Sequence, residues 1–173
     1  EVAGLMQLLI QTVHKEVPDL CKNNVRLHVI GDLEMLPEDA RLEMEEALAE
    51  TAGNTGLHLI LALSYSSRWE LTRAARRIAE EVAAGKLQPA DIDKDTLGAY
   101  LTTADYPDPE LMIRTGGENR ISNFLLYQLA YAELYFTDTK WPDFNKEAFL
   151  AAISAYQNRE RRFGKTGEQV KNA

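Results

Sequence analysis

Apolar positions in the first part of the chain switch between a helical and a strand-like spacing. Those within residues 5–13 recur on one helix face, and Pro18 is expected to close or kink that helix. Residues 25–30 alternate and are partly β-branched, which predicts a strand ending in a glycine-aspartate turn. A helix is predicted over residues 37–52. The nearly continuous apolar run 57–63 then predicts a strand covered on both faces.

The same alternation continues to the end of the chain. The predicted elements are helices over about 69–84, 122–132 and 143–161, a short helix within 88–101, and strands over 111–114 and 134–136. Strands alternating with helices are typical of an α/β fold with a mainly parallel central sheet flanked by helices. We expect residues 1–164 to be the C-terminal part of one domain, because Glu1 already lies in a helical pattern without an initiator methionine. Residues 165–173 are expected to form a polar tail.

Composition and charge restrict the partners of the protein. The 173 residues carry a net charge of −8, whereas nucleic-acid binders neutralise phosphates with many Lys and Arg. We therefore expect no nucleic-acid partner. The single cysteine, Cys21, rules out a disulfide framework and a cysteine metal cluster. No apolar run reaches about 18 residues, so no transmembrane segment is expected.

One glycine loop carries the residues best suited to bind an anion. The third predicted strand ends at Arg114, two glycines follow, and a helix is predicted to begin near Ser122. Glycines allow a close backbone approach, and a helix N-terminus presents N–H groups and a partial positive charge. Arg114, Arg120 and the Ser122 hydroxyl add donors that match phosphate oxygens. The spacing fits equally well a glycine turn with solvated arginines and Ser122 as a plain helix cap.

Residues 114–136 resemble the signature of the cis-prenyltransferase family, above all its bacterial undecaprenyl diphosphate synthases. Other stretches are similar to the family in the same order: residues 25–32, 54–57, 65–69, 141–144 and 159–164. The resemblance implies an isoprenyl transferase that condenses isopentenyl diphosphate with an allylic diphosphate, usually farnesyl diphosphate, in the presence of Mg²⁺. The expected product is a long cis-polyprenyl diphosphate such as undecaprenyl diphosphate, a peptidoglycan precursor lipid that passes to the membrane. A cytoplasmic homodimer is also implied.

The resemblance assigns roles to individual residues of this chain. It implies isopentenyl diphosphate binding by Arg114, Arg120, Ser122, Arg162 and Gly164, magnesium binding by Glu133, and a tunnel for the growing chain lined by Val25 and Leu57. Arg162 and Gly164 would act at the binding site of the other subunit. Glu133 follows Ser122 by eleven residues, which in one straight helix is about 16 Å and favours a contribution across the dimer. Exposed apolar residues over 124–136 predict a two-fold contact above about 1,000 Å².

Two departures from the family pattern affect the expected activity. Residues 64–68 read Ser-Tyr-Ser-Ser-Arg where the family usually has Asn-Tyr-Gly-Gly-Arg. The family's catalytic aspartate and N-terminal phosphate loop would precede Glu1, so no catalytic residue is assigned within this chain. The chain alone is therefore expected to be inactive.

Two alternative functions stay open at this point. One is a non-catalytic partner subunit of the same fold, and the other is a generic phosphate-ester-binding α/β enzyme. The three histidines have no common ligand spacing, so His14, His28 and His58 are expected to be packed or surface residues. Without the resemblance, the basic cluster around Arg159 would be interpreted as a solvated helix end.

Overall fold

The protein is described by a computed structural model over residues 2–159, without the side chains of residues 2, 3 and 5–7. Its helices are α1 (Val2–Lys22), α2 (Glu38–Thr51), α3 (Ser67–Ala83), α4 (Lys94–Ala99) and α5 (Lys146–Gln157). Its strands are β1 (Arg26–Gly31), β2 (His58–Leu63), β3 (Leu111–Arg114) and β4 (Glu133–Phe136). The chain divides into an N-terminal unit, Glu1–Asp105, and a C-terminal unit, Tyr106–Ala173.

The strands pair in parallel, as the sequence predicts. In the N-terminal unit β1 pairs with β2, and in the C-terminal unit β3 pairs with β4. Within the described residues these are two separate two-stranded sheets. The predicted α/β class with parallel strands is confirmed. The assignment of residues 1–164 to one domain stays a prediction.

The core of the N-terminal unit lies between β1 and the helices α1 and α2. It contains the buried side chains Val13, Val17, Leu27, Met44 and Ala47. The helical spacing of apolar residues directs one face of each helix toward this strand. Pro18 does not close α1, which continues to Lys22.

The prediction that β2 is covered on both faces is wrong within the described residues. Leu57 is 69% exposed and Leu59 37% exposed. In this unit β2 has one strand neighbour, and the packed core lies around β1, α1 and α2. The continuous apolar run therefore predicts the strand correctly, but it does not predict how far the side chains of that strand are buried.

Helix α3 begins two residues earlier than its predicted start at Trp69. The Ser66 hydroxyl accepts a hydrogen bond from the Trp69 N–H at 3.4 Å, which satisfies one of the free donors of the first turn. The buried Glu70 carboxylate accepts hydrogen bonds from the Tyr65 hydroxyl at 2.5 Å and from the Thr102 N–H at 2.8 Å. These contacts connect the end of β2 to α3 and to the segment after α4.

In the C-terminal unit α5 contacts β4. Asn145 caps the start of this helix by accepting a hydrogen bond from the Ala148 N–H at 3.0 Å. The prediction that the helix continues to Arg161 is wrong, because α5 ends at Gln157. There the Asn158 side-chain amide donates to the Ser154 carbonyl at 2.9 Å, which satisfies an acceptor of the last turn.

No helix in the described part of the chain is both long and apolar enough to cross a membrane.

Candidate anion site

Arg114, at the carboxyl end of β3, organises the loop that follows it. Its Nη1 donates a hydrogen bond to the Ser122 Oγ at 2.9 Å and another to the Arg120 carbonyl. A single guanidinium therefore binds two residues of the loop, which lie six and eight residues further along the chain. This contact brings together two of the residues expected to bind isopentenyl diphosphate, and that role stays a prediction.

The two glycines of the loop are used by the backbone rather than by an anion. The Gly116 N–H donates to the Thr139 carbonyl, and the Gly117 N–H donates to the Thr137 carbonyl, both at 2.9 Å. Both glycines have positive φ, which L side chains rarely adopt. The glycines bend the chain and extend the pairing beyond β4, but these two N–H groups do not face a phosphate.

The prediction of a helix over residues 122–132 is wrong. Ser122, Asn123 and Leu125 have φ values of 54°, 63° and 46°, in the left-handed region that a right-handed helix excludes. Turns follow, and the one regular element before β4 is the short 3₁₀ helix Gln128–Tyr131. Ser122 is therefore not a helix cap, and the expected helix N-terminus does not exist at this site. Among the described residues, the cationic groups at this site are those of Arg114 and Arg120.

Arg120 lies beside Arg114 at the same cavity but has an acidic partner. Its Nη1 forms an ion pair with Glu118 Oε2. The Arg120 side chain is 65% exposed and that of Glu118 is 46% exposed, so this pair contributes little stability. A bound phosphate would compete with Glu118 for the Arg120 guanidinium. The ion pair of Glu118 with Arg120 was not predicted from the sequence. A Glu two residues before an Arg in a loop could have indicated such a pair.

A cavity of about 310 Å³ lies between β3 and this loop. Its lining consists of Met112, Ile113, Arg114, Arg120, Ile121, Ser122 and Phe124. One part of the lining carries guanidinium and hydroxyl donors, and the other part is aliphatic and aromatic. Such a lining suits a small ligand with an anionic head and a short apolar body.

Glu133 is separated from this cavity by the strand register. It opens β4 opposite Leu111, whereas Arg114 lies opposite Phe136. Three residues correspond to about 10 Å along a strand, and side chains three positions apart point to opposite faces. Residues 122–133 do not form the expected straight helix, but the strand register still keeps Glu133 away from Arg114 within one chain.

The Glu133 carboxylate is already paired with an arginine side chain. Its Oε2 accepts a hydrogen bond from Arg159 Nη1 at 2.7 Å. Arg159 is thus not simply a solvated residue after α5, and this non-local pairing was missed from sequence.

A magnesium ion needs more oxygen ligands than Glu133 supplies. Among the described residues no group of three His, Cys, Asp or Glu side chains could hold a metal ion. Mg²⁺ commonly takes one or two carboxylates together with substrate phosphates and water. Glu133 offers one carboxylate, paired with Arg159 and distant from the anion cavity. The described residues of one chain, without a substrate phosphate, therefore do not form a magnesium site by themselves.

The remaining predicted residues divide into two groups. Arg162 and Gly164 lie outside the described residues. Val25 is half-buried and Leu57 is exposed, and the Arg26 N–H donates to the Leu57 carbonyl at 2.8 Å. These two side chains therefore lie near the amino ends of β1 and β2, where their tunnel role stays a prediction.

The chain matches one enzyme family in sequence and in fold. The family profile described as "Putative undecaprenyl diphosphate synthase" matches residues 1–164. An isoprenyl transferase of Porphyromonas gingivalis is 56% identical over 170 residues, which cover 98% of this chain and 67% of that protein. A ditrans,polycis-undecaprenyl-diphosphate synthase ((2E,6E)-farnesyl-diphosphate specific) of Vibrio cholerae is 48% identical, with coverages of 99% and 68%.

A solved structure agrees with these sequence matches. Lavandulyl diphosphate synthase from Lavandula x intermedia, in complex with dimethylallyl diphosphate, superposes with a TM-score of 0.93 at 38% identity. The match covers 95% of this chain and 72% of that one. The chain spans about two thirds of the length of the curated relatives. Matches over nearly all of this chain do not support the expectation that it is inactive, and they do not show that catalytic residues are absent.

Proposed function

Because the chain belongs to the undecaprenyl diphosphate synthase family of cis-prenyltransferases, we propose that it acts in isoprenyl transfer and binds isopentenyl diphosphate in the cavity of the C-terminal unit. The observation that carries this proposal is the Arg114–Ser122 hydrogen bond at 2.9 Å, next to Arg120, in a half-apolar cavity. The second substrate is an allylic diphosphate such as farnesyl diphosphate, as in the name of the Vibrio cholerae relative.

The two arginines and the serine divide the recognition of the diphosphate. Guanidinium groups match phosphate oxygens through paired N–H donors. Because the Ser122 oxygen accepts from Arg114, its own O–H stays available to donate outward. Met112, Ile113 and Phe124 supply an apolar lining for the five-carbon isopentenyl group.

The reaction depends on the position of the two substrates and on charge stabilisation. The isopentenyl double bond attacks the allylic carbon, a carbon–carbon bond forms, diphosphate leaves with the electrons of the broken carbon–oxygen bond, and a proton is lost from the new chain. A substrate held at a fixed angle loses less entropy at the transition state, which is worth up to about 7–11 kcal/mol. We assign this holding role to Arg114, Arg120 and Ser122. No catalytic residue is assigned.

Magnesium dependence and dimer formation are proposals that family membership supports. Mg²⁺ would neutralise diphosphate oxygens, with ligands beyond those described in one chain. A homodimer would cover Phe124, Leu126 and Tyr131, which are 40%, 41% and 67% exposed. It would also bring Glu133, Arg162 and Gly164 of one subunit toward the site of the other. A cytoplasmic location and delivery of the product to the membrane stay predictions.

Titration calorimetry with isopentenyl diphosphate tests the assignment. We expect Arg120→Ala to weaken binding about tenfold or more, because a charge-assisted contact is lost. Arg41→Ala is the matched control, since Arg41 pairs with Glu45 on α2 at 2.7 Å. Equal affinities of the two variants would contradict the site.

An activity assay distinguishes a transferase from a non-catalytic partner subunit of the same fold. It measures the incorporation of labelled isopentenyl diphosphate in the presence of farnesyl diphosphate and Mg²⁺. Turnover that Arg120→Ala reduces and Arg41→Ala preserves supports the transferase. Binding of isopentenyl diphosphate without any turnover favours the non-catalytic subunit.

A further inference from the structure

We propose a second anion site, in the N-terminal unit, that binds phosphate-class oxyanions through Arg68, Arg73 and Arg76. It lies in a cleft of about 670 Å³, which is larger than the cavity at Arg114. The cleft lining is Gly31, Asp32, Leu33, Glu34, Arg68, Trp69, Thr72, Arg73 and Arg76. None of these residues belongs to the isopentenyl diphosphate cavity, so the proposal does not depend on the proposed function.

The topology puts this cleft where parallel sheets usually bind ligands. β1 ends at Gly31, and α3 begins shortly after β2 ends at Leu63. Ligands of α/β proteins bind beyond the carboxyl ends of parallel strands. A Cβ built on Gly31, whose φ is +113°, would lie 1.9 Å from the Leu63 carbonyl oxygen. Glycine is therefore required for the close approach of these two strand ends.

The basic side of the cleft follows from helical spacing on α3. Trp69, Arg73 and Arg76 are separated by four and three residues, so they share one face of the helix. Arg68 precedes Arg76 by eight residues and lies on the adjacent stripe. Three guanidinium groups thus line one side of one cleft. A multivalent anion can contact more than one of them at a time, and each contact is charge-assisted.

Trp69 restrains one of these arginines. The Arg73 guanidinium carbon lies 5.7 Å from the Trp69 ring centroid, in a cation–π contact. A restrained side chain loses less entropy when it binds a ligand. Arg73 is therefore partly positioned before an anion arrives.

The lining of the cleft also includes two carboxylates, those of Asp32 and Glu34. Asp32 is engaged with the backbone, because its Oδ1 accepts from the Glu34 N–H at 3.3 Å. Three guanidinium groups against two carboxylates leave a small positive excess. The lining therefore favours an anionic ligand, and a diphosphate offers several oxygens for charge-assisted contacts with the arginines. The same chemistry is offered by inorganic diphosphate and by the phosphates of an anionic lipid surface.

The test uses the full chain carrying Arg120→Ala, so that binding at the first cavity is suppressed. In this background, inorganic diphosphate is titrated against Arg76→Gln and against Arg77→Gln. Arg77 is the matched control, because it is the next residue on α3 and lies 5.4 Å from the Tyr100 ring, outside the cleft. We expect Arg76→Gln to weaken diphosphate binding about tenfold, with Arg77→Gln within about twofold of the parent. Arg76→Lys, which keeps the charge, is expected to be intermediate.

A second arm identifies the source of the oxyanion. The same variants are sedimented with phosphatidylcholine vesicles, with and without phosphatidylglycerol. Binding to the anionic vesicles that Arg76→Gln selectively reduces supports the site and assigns it to lipid headgroups. Saturable binding of diphosphate that Arg76→Gln weakens and Arg77→Gln does not, without such vesicle binding, supports the site and assigns it to the free anion. Equal behaviour of Arg76→Gln and Arg77→Gln in both arms, or no binding in either, overturns the proposal.

Discussion

Two serines that follow parallel strands do opposite things in this molecule. Ser66 follows β2, has an extended backbone with φ −151°, and caps α3 through the Trp69 N–H. Ser122 follows β3, has φ +54°, and accepts its hydrogen bond from Arg114. The same residue type begins a helix in one unit and completes an anion cavity in the other. The two hydroxyls differ in their partner, because that of Ser66 accepts from a helix N–H and that of Ser122 accepts from the arginine at the end of β3.

The largest expected effect concerns the glycine at the end of β1. Gly31→Ala should lower the free energy of unfolding by more than about 3 kcal/mol, since its Cβ would collide with the Leu63 backbone. Gly85→Ala, at φ +72° in open space within the same unit, should cost only about 1–2 kcal/mol. Denaturant unfolding measures both. Equal losses would show that the strand ends are not in contact.

The serine comparison gives the next largest effect. Ser66→Ala should lower the free energy of unfolding by about 1 kcal/mol through loss of a helix cap. Ser122→Ala should change it by less than about 0.5 kcal/mol, yet weaken isopentenyl diphosphate binding severalfold. Denaturant unfolding of both variants measures the loss of stability, and titration calorimetry measures the affinity for isopentenyl diphosphate. Ser122→Ala that destabilises as much as Ser66→Ala, with unchanged binding, would make Ser122 a purely structural residue.

The N-terminal unit and the loop after β3 also differ in how well the sequence predicts their structure. Alternating and β-branched residues predict β1, a continuous apolar run predicts β2, and β3 has the predicted bounds over residues 111–114. Local hydrophobic spacing is sufficient where helices pack on a strand, as α1 and α2 do on β1. The helix predicted over residues 122–132 does not form, since Ser122, Asn123 and Leu125 have positive φ. Hydrophobic spacing does not encode the contact of Ser122 with Arg114, eight residues earlier. The pairs Arg120–Glu118 and Glu133–Arg159 depend on loop geometry and on tertiary packing, which spacing does not encode.

The smallest expected effect is a pH dependence of the N-terminal unit. Burial lowers the pKa of His28 below 6.5, and nearby His58 and Arg26 lower it further. His28 Nε2 lies 2.8 Å from His58 Nδ1. Since the unfolded state protonates first, the His28 contribution to stability is complete well above pH 6.5. It is lost as the pH falls from about 6.5 through the lowered pKa of the folded state.

His28→Gln should reduce this loss of stability at low pH, because the variant lacks the group whose pKa is lowered on folding. Denaturant midpoints of the parent and variant, compared at about pH 7.5 and pH 5.5, measure the difference. His14→Gln is the control, because His14 lies on α1 and pairs with Glu43. A steeper loss in His28→Gln than in the parent would reverse the assigned sign.

A crystal structure of the chain with isopentenyl diphosphate tests the central claim most directly. We expect diphosphate oxygens within hydrogen-bond distance of Arg114, Arg120 and the Ser122 hydroxyl, with Glu118 displaced from Arg120. The isopentenyl group should contact the apolar lining of the same cavity. Isopentenyl diphosphate bound elsewhere in the chain, with the Arg120–Glu118 ion pair intact, would contradict the claim.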